Sequence, residues 1–113
     1  MQTQSIEAIR ELRTRMAAES AMLKKLWSEF EDAYSKKRAQ RAINDAAEAD
    51  IMFLQPIEKE SWRDANQELT VIGYAEMIFQ MAVTHRKQLE EVMAKYGPTA
   101  VAFPHPTDRP LFS

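Results

Sequence analysis

Residues 9–34 read IRELRTRMAAESAMLKKLWSEFEDAY. Apolar side chains recur there at Ile9, Met16, Leu23 and Phe30, one heptad apart, and again three places on at Leu12, Leu26 and Ala33. Steps of three and four keep residues on one side of an α-helix, so the spacing predicts an amphipathic helix that buries one stripe against another helix. Trp27 and Tyr34 widen the stripe, and Glu19 is the polar residue set inside it. Upstream, Ser5 is placed to cap the helix, with Glu7 in the first turn where the helix dipole favours an acid.

Downstream the stripe lapses. Lys36, Lys37, Arg38 and Arg41 crowd positive charge into one short run, after which an Ala-rich pattern resumes through Ile43, Ala46, Ala47, Ile51 and Leu54. Residues 1–55 contain neither Gly nor Pro and are rich in strong helix formers, so nothing in the backbone chemistry opposes helix. Either the chain turns near residues 35–42 or it projects as a rod of about 50 residues, about 75 Å long, that would need a partner along its length. A further helix is expected from about residue 61, where Ser61 and Asp64 resemble a capping box, rather than directly from Pro56. It ends at Gly97 and Pro98, a C-terminal stop.

That last helix is apolar on two faces. Trp62, Ala65, Leu69, Ile72, Phe79 and Val83 lie on one, and Val71, Ala75, Ile78, Ala82, Leu89, Val92 and Tyr96 on the other. Only Glu76, Gln80, Thr84 and Gln88 make a polar stripe, which reads as a solvated edge. A helix of this kind should be the surrounded, central element, with Gly73 marking close approach of a neighbour. Its apolar surface exceeds what two further helices can cover, so a homo-oligomer, at least a dimer, is expected. The predicted fold is all-α, an antiparallel helical hairpin or three-helix bundle over residues 5–35, 39–54 and 61–96, within a helical domain 1–97.

Residues 98–113 differ in kind. Pro98, Pro104, Pro106 and Pro110 forbid a continuing helix and predict an extended, Pro-rich C-terminal tail. The tail carries Phe103, Leu111 and Phe112, which cannot build a core of their own. Two roles follow: folding back onto the helices, or presenting a short linear motif whose prolines lower the entropy lost on binding. The stretch from Asp108 to Phe112 is similar to the Gln-x-x-Leu-Phe peptides that bacterial sliding clamps accept, but Asp108 stands where Gln belongs, and no function is carried over from it.

Composition narrows the chemistry. The chain has 113 residues, a formal net charge of −2 and no Cys. One domain is the expectation at this length. Disulfide scaffolds, thiolate zinc sites, iron–sulfur clusters and thiol nucleophiles are excluded, and a reducing cytoplasm is the simplest compartment. Residues 1–9 lack the pattern of a signal peptide, and the longest mostly apolar stretch, 71–83, is short of the ~20 residues that span a bilayer, so a membrane role is not expected. Gly73 and Gly97 are the only glycines, which leaves no phosphate-binding loop. His85 and His105 are the only histidines, and neither belongs to a Glu-x-x-His pair of a di-iron bundle. No cofactor, metal or catalytic residue is predicted.

The expected function is therefore that of a non-catalytic adaptor, inhibitor or assembly factor working through helix surfaces and the tail, with a protein partner. Trp62, Phe103, Leu111 and Phe112 are its candidate contacts, because aromatic anchors concentrate binding energy. The alternative is a nucleic-acid accessory protein that holds phosphates with Lys36, Lys37, Arg38 and Arg41, although the acids on both sides of that run and a pI near 5.7 dilute it.

Overall fold

A computed structural model describes residues 3–59 and 65–99. Those residues form α1 (Thr3–Glu29), α2 (Ala33–Ala49), a π-helical turn (Asp50–Leu54), α3 (Gln55–Lys59) and α4 (Ala65–Tyr96), with no strand among them. The fold is all-α and is the three-helix alternative: α2, the π-turn and α3 join into one rod, and each long helix touches the other two.

The first two helices end and begin away from the expected residues 35 and 39. α1 already includes Thr3, so Ser5 lies inside it, and it stops at Glu29 rather than at residue 35. The turn is Phe30–Asp32, upstream of the basic run. Asp32, in extended backbone, caps α2 by accepting the Ser35 N–H at 2.7 Å through Oδ2. The basic run thus opens α2 instead of making a turn. At the other end Gly97 takes φ 85° and donates to Met93 O at 3.0 Å, the left-handed stop that only glycine adopts without strain.

Pro56 was expected outside any helix or at the first position of one, and it sits within the rod. Proline cannot donate an N–H, and its ring collides with the carbonyl four residues back in a regular α-helix. The turn just before it is widened instead: Gln55 N–H bonds Asp50 O, five residues back, while Asp50 and Gln55 keep right-handed helical backbone. The widened turn also changes which residues face inward. Ala39, Ala42, Ala46 and Ala49 are buried at steps of three and four, but the next buried residue is Leu54, five places on, followed by Ile57. Ile51 and, upstream of the widened turn, Ala47, both expected on the inner face, are exposed. Arg13 of α1 clamps both ends of the irregular stretch, donating to Asp50 Oδ1 at 2.7 Å and to Glu58 Oε2, while Arg10 donates to Glu58 Oε1 at 2.9 Å.

The core has two clusters. Ile9, Leu12 and Met16 pack with Ala49, Leu54, Ile57, Ala75 and Phe79 at one end. Leu23, Leu26 and Phe30 pack with Ala39, Ala42, Ile43, Ala82, Leu89 and Val92 at the other. Between them Glu19, the polar residue of the α1 stripe, accepts a hydrogen bond from Arg86 of α4, the two side chains being 5% and 13% exposed. The middle helix is α2, not α4 as expected. Its Ala39, Ala42, Ala46 and Ala49 are buried against its neighbours, whereas α4 leaves Leu69, Tyr74, Met77 and Met81 at the surface. Gly73 is exposed too, and a Cβ there would meet nothing within 4 Å among the described residues, so it does not mark close helix packing.

Candidate binding groove

The exposed apolar residues of α4 are not scattered. Tyr74, Met77 and Met81 follow at steps of three and four and form one ridge along the helix. Across from it, the π-turn turns Met52 outward, more than half exposed, and sets Phe53 beside Tyr74 with ring centroids 6.3 Å apart. Between helix α2 with its π-turn and α4 runs a groove. Its apolar half is a cavity of about 270 Å³ whose walls include Ala49, Met52, Phe53, Ile78 and Met81. A second hollow adjoins it and shares Ala42, Asp45, Met81 and His85, with Tyr34, Lys37, Arg38 and Arg41 on its rim. From Tyr34 to Phe53 the groove follows 19 residues of the rod, about 28 Å at ~1.5 Å per residue.

The basic run therefore splits. Successive helical residues are turned by about 100°, so Lys36 points to α1, where its ammonium lies 3.9 Å from the Trp27 ring centroid and donates to Trp27 O at 2.8 Å. Lys37, Arg38 and Arg41 turn to the groove. Arg38 is the organising residue there: it donates to Gln88 Oε1 at 2.8 Å and lies 3.0 Å from Nδ1 of His85. Because a guanidinium can only donate, Nδ1 must hold a lone pair and the imidazole carries its proton on Nε2.

Two shifts mark this end as electropositive and partly dry. Burial, then the charge of Arg38, pushes the His85 imidazole below its ordinary range, Asp45 opposing and Arg41 assisting. Burial also lowers the Arg38 guanidinium, with the neighbouring Tyr34 opposing. The groove thus runs from a cationic mouth at Tyr34 to an apolar floor at Phe53, in a chain whose net charge is negative.

Of the residues expected from sequence to act, Lys37, Arg38 and Arg41 are brought together and Lys36 is not. Trp62, Phe103, Leu111 and Phe112 lie outside the described residues. Sequence reasoning missed Met52, Tyr74, Met77 and Met81 as one surface, as well as the pairing of His85 with Arg38. A period of three and four in Tyr74, Met77 and Met81 was the available signal. No group of three or more His, Asp or Glu side chains among the described residues could hold a metal ion, and none of their helices is long and apolar enough to cross a membrane. No protein-family model, curated protein or solved structure matches the chain.

Proposed function

We propose that the protein is a small non-catalytic interaction module, an adaptor, inhibitor or assembly factor, that associates with other polypeptides, a second copy included, through the α2–α4 face and its C-terminal tail. The observation that carries this reading is the apolar ridge of Tyr74, Met77 and Met81 beside Met52, all more than half exposed. Four large apolar side chains on one face cost solvation unless another surface covers them. Methionine suits such a face, since its unbranched, polarisable side chain adapts to varied partners.

The test is site-specific photo-cross-linking in cells. A benzoylphenylalanine at Met77 should give discrete heavier adducts, while the same probe at Glu11, exposed on α1, should give none. Sedimentation of the purified chain should show mass rising with concentration, and Tyr74→Glu with Met81→Glu should abolish both signals. A single-chain mass at every concentration, together with no adduct at Met77, would refute the reading.

The convergence of Lys37, Arg38 and Arg41 on one hollow supports a second reading, phosphate contact by an accessory nucleic-acid protein. Salt-sensitive retention on heparin that vanishes with Lys37→Ala and Arg41→Ala would favour it. Unchanged retention in that variant would remove it.

A further inference from the structure

We propose that the groove between α2 and α4 is the docking site of the chain's own residues 100–113, with Phe103 and the pair Leu111 and Phe112 as the anchors. This rests on reading the groove as a binding face and names its resident occupant, which any partner must displace.

The first argument is where the chain leaves the bundle. Pro98 O accepts the Glu31 N–H at 2.7 Å, pinning the end of α4 to the turn between α1 and α2. Glu31 is three residues from Tyr34, which lines the cationic mouth of the groove. The segment after Thr99 is therefore delivered to one end of the groove.

The second argument is reach. Fourteen residues follow Thr99. In the extended form that Pro104, Pro106 and Pro110 favour, at ~3.1 Å per residue, they cover about 43 Å, against a groove of about 28 Å. Phe103, four residues past Thr99, falls about 12 Å along such a path, and Ala42, eight helical residues past Tyr34, lies about 12 Å along the rod. Phe103 is thereby carried to the level where Ala42, Met81 and His85 meet. Leu111 and Phe112, at roughly 37 to 40 Å of contour, reach Met52 and Phe53 with slack for bends.

The third argument is energetic. The groove offers apolar floor in need of cover, and the tail offers apolar side chains with no core of their own. Proline limits the freedom lost on docking, and the tether raises the local concentration of the tail to the millimolar range, so a contact too weak to hold a separate peptide suffices.

Because the chain has no Cys, Ser113→Cys gives a single attachment point for a nitroxide on the 113-residue chain. Methyl-labelled methionines report its position. The expected result is loss of more than half the Met52 and Met81 methyl intensity relative to the reduced label, with Met22 on α1 unaffected. Phe103→Ser combined with Leu111→Ser and Phe112→Ser should restore both signals while leaving the helical spectrum intact. No selective loss, or equal loss at Met22, overturns the proposal. Loss that appears only when nitroxide on one chain is mixed with methyl label on another also overturns it, because the occupant is then a second copy. Cross-linking at Met77 separates the two levels. Adducts without nitroxide effects retain the binding face and remove the tail, whereas nitroxide effects without adducts, even after residues 100–113 are deleted, retain the tail and remove the partner.

Discussion

Replacing Glu19 should be among the most damaging single changes in the molecule. Its carboxylate and the Arg86 guanidinium lie between the two core clusters with side chains 5% and 13% exposed, so both charges have been taken out of water. Removing one partner of such a pair leaves a desolvated charge and costs about 3–5 kcal/mol. Glu90, one helical turn from Arg86 and bonded to it at 2.6 Å, relieves part of this, but it is half exposed and such pairs contribute only about 0.3–0.5 kcal/mol. The expected loss for Glu19→Ala is therefore about 3 kcal/mol, a large share of the ~5–15 kcal/mol that holds an ordinary domain together. Glu19→Leu combined with Arg86→Met removes both charges and should recover stability to within about 1 kcal/mol of the natural chain. Urea unfolding followed by far-ultraviolet circular dichroism on Glu19→Leu, Arg86→Met and the variant carrying both gives the coupling directly. A loss below about 1 kcal/mol for Glu19→Ala, the range of exposed pairs, would refute the claim that this pair is buried and structural.

Gly73→Ala should stabilise by about 0.5–1 kcal/mol, since the site is helical and a Cβ meets no described neighbour, and thermal melting will read it. Asp32→Ala should cost about 1 kcal/mol through loss of the cap on Ser35, with Asp32→Asn close to neutral. His85 titrates below its ordinary value of 6.5, so as the pH falls from 6.5 toward the folded value the unfolded chain binds a proton that the folded chain refuses. Stability should drop across that window in melts at stepped pH, and His85→Asn should flatten the slope. Glu58, held below 4.5 by the hydrogen bonds of Arg10 and then Arg13, gives stability that is present above 4.5 and lost as the pH falls through its folded value. Glu58→Gln should remove that acid limb and leave the His85 limb in place.

Local pattern made much of this readable. The inner face of α1 follows directly from heptad spacing, and Ile9, Leu12, Met16, Leu23, Leu26 and Phe30 are all buried. Glu19 looked like an intrusion because its partner lies 67 residues away on α4, and no local rule joins them. The turn at Phe30–Asp32 contains neither Gly nor Pro. Its signal was the Asp32 and Ser35 pair, a cap easily lost beside four conspicuous cations. In α2 the steps of four from Ile43 to Ala47 and Ile51 lead onto the solvent side, whereas Ala46 and Ala49 face inward and the wider turn before Pro56 brings Leu54 in after them. The groove divides the same way. Lys37, Arg38 and Arg41 stand together in sequence, whereas their meeting with Tyr34, Met81 and His85 depends on how α4 settles against α2.

The π-turn has a consequence for the length of the chain. A π-turn holds one residue more than regular α-helical winding would, so deleting one residue of Asp50–Leu54 would let the rod close into even winding with everything beyond it kept in its present register. Ile57 would stay in the interior and Glu58 beside Arg10 and Arg13 after such a deletion. That stretch is therefore the slack in the rod, the place where the chain can lose one residue without turning α2 and α3 against one another.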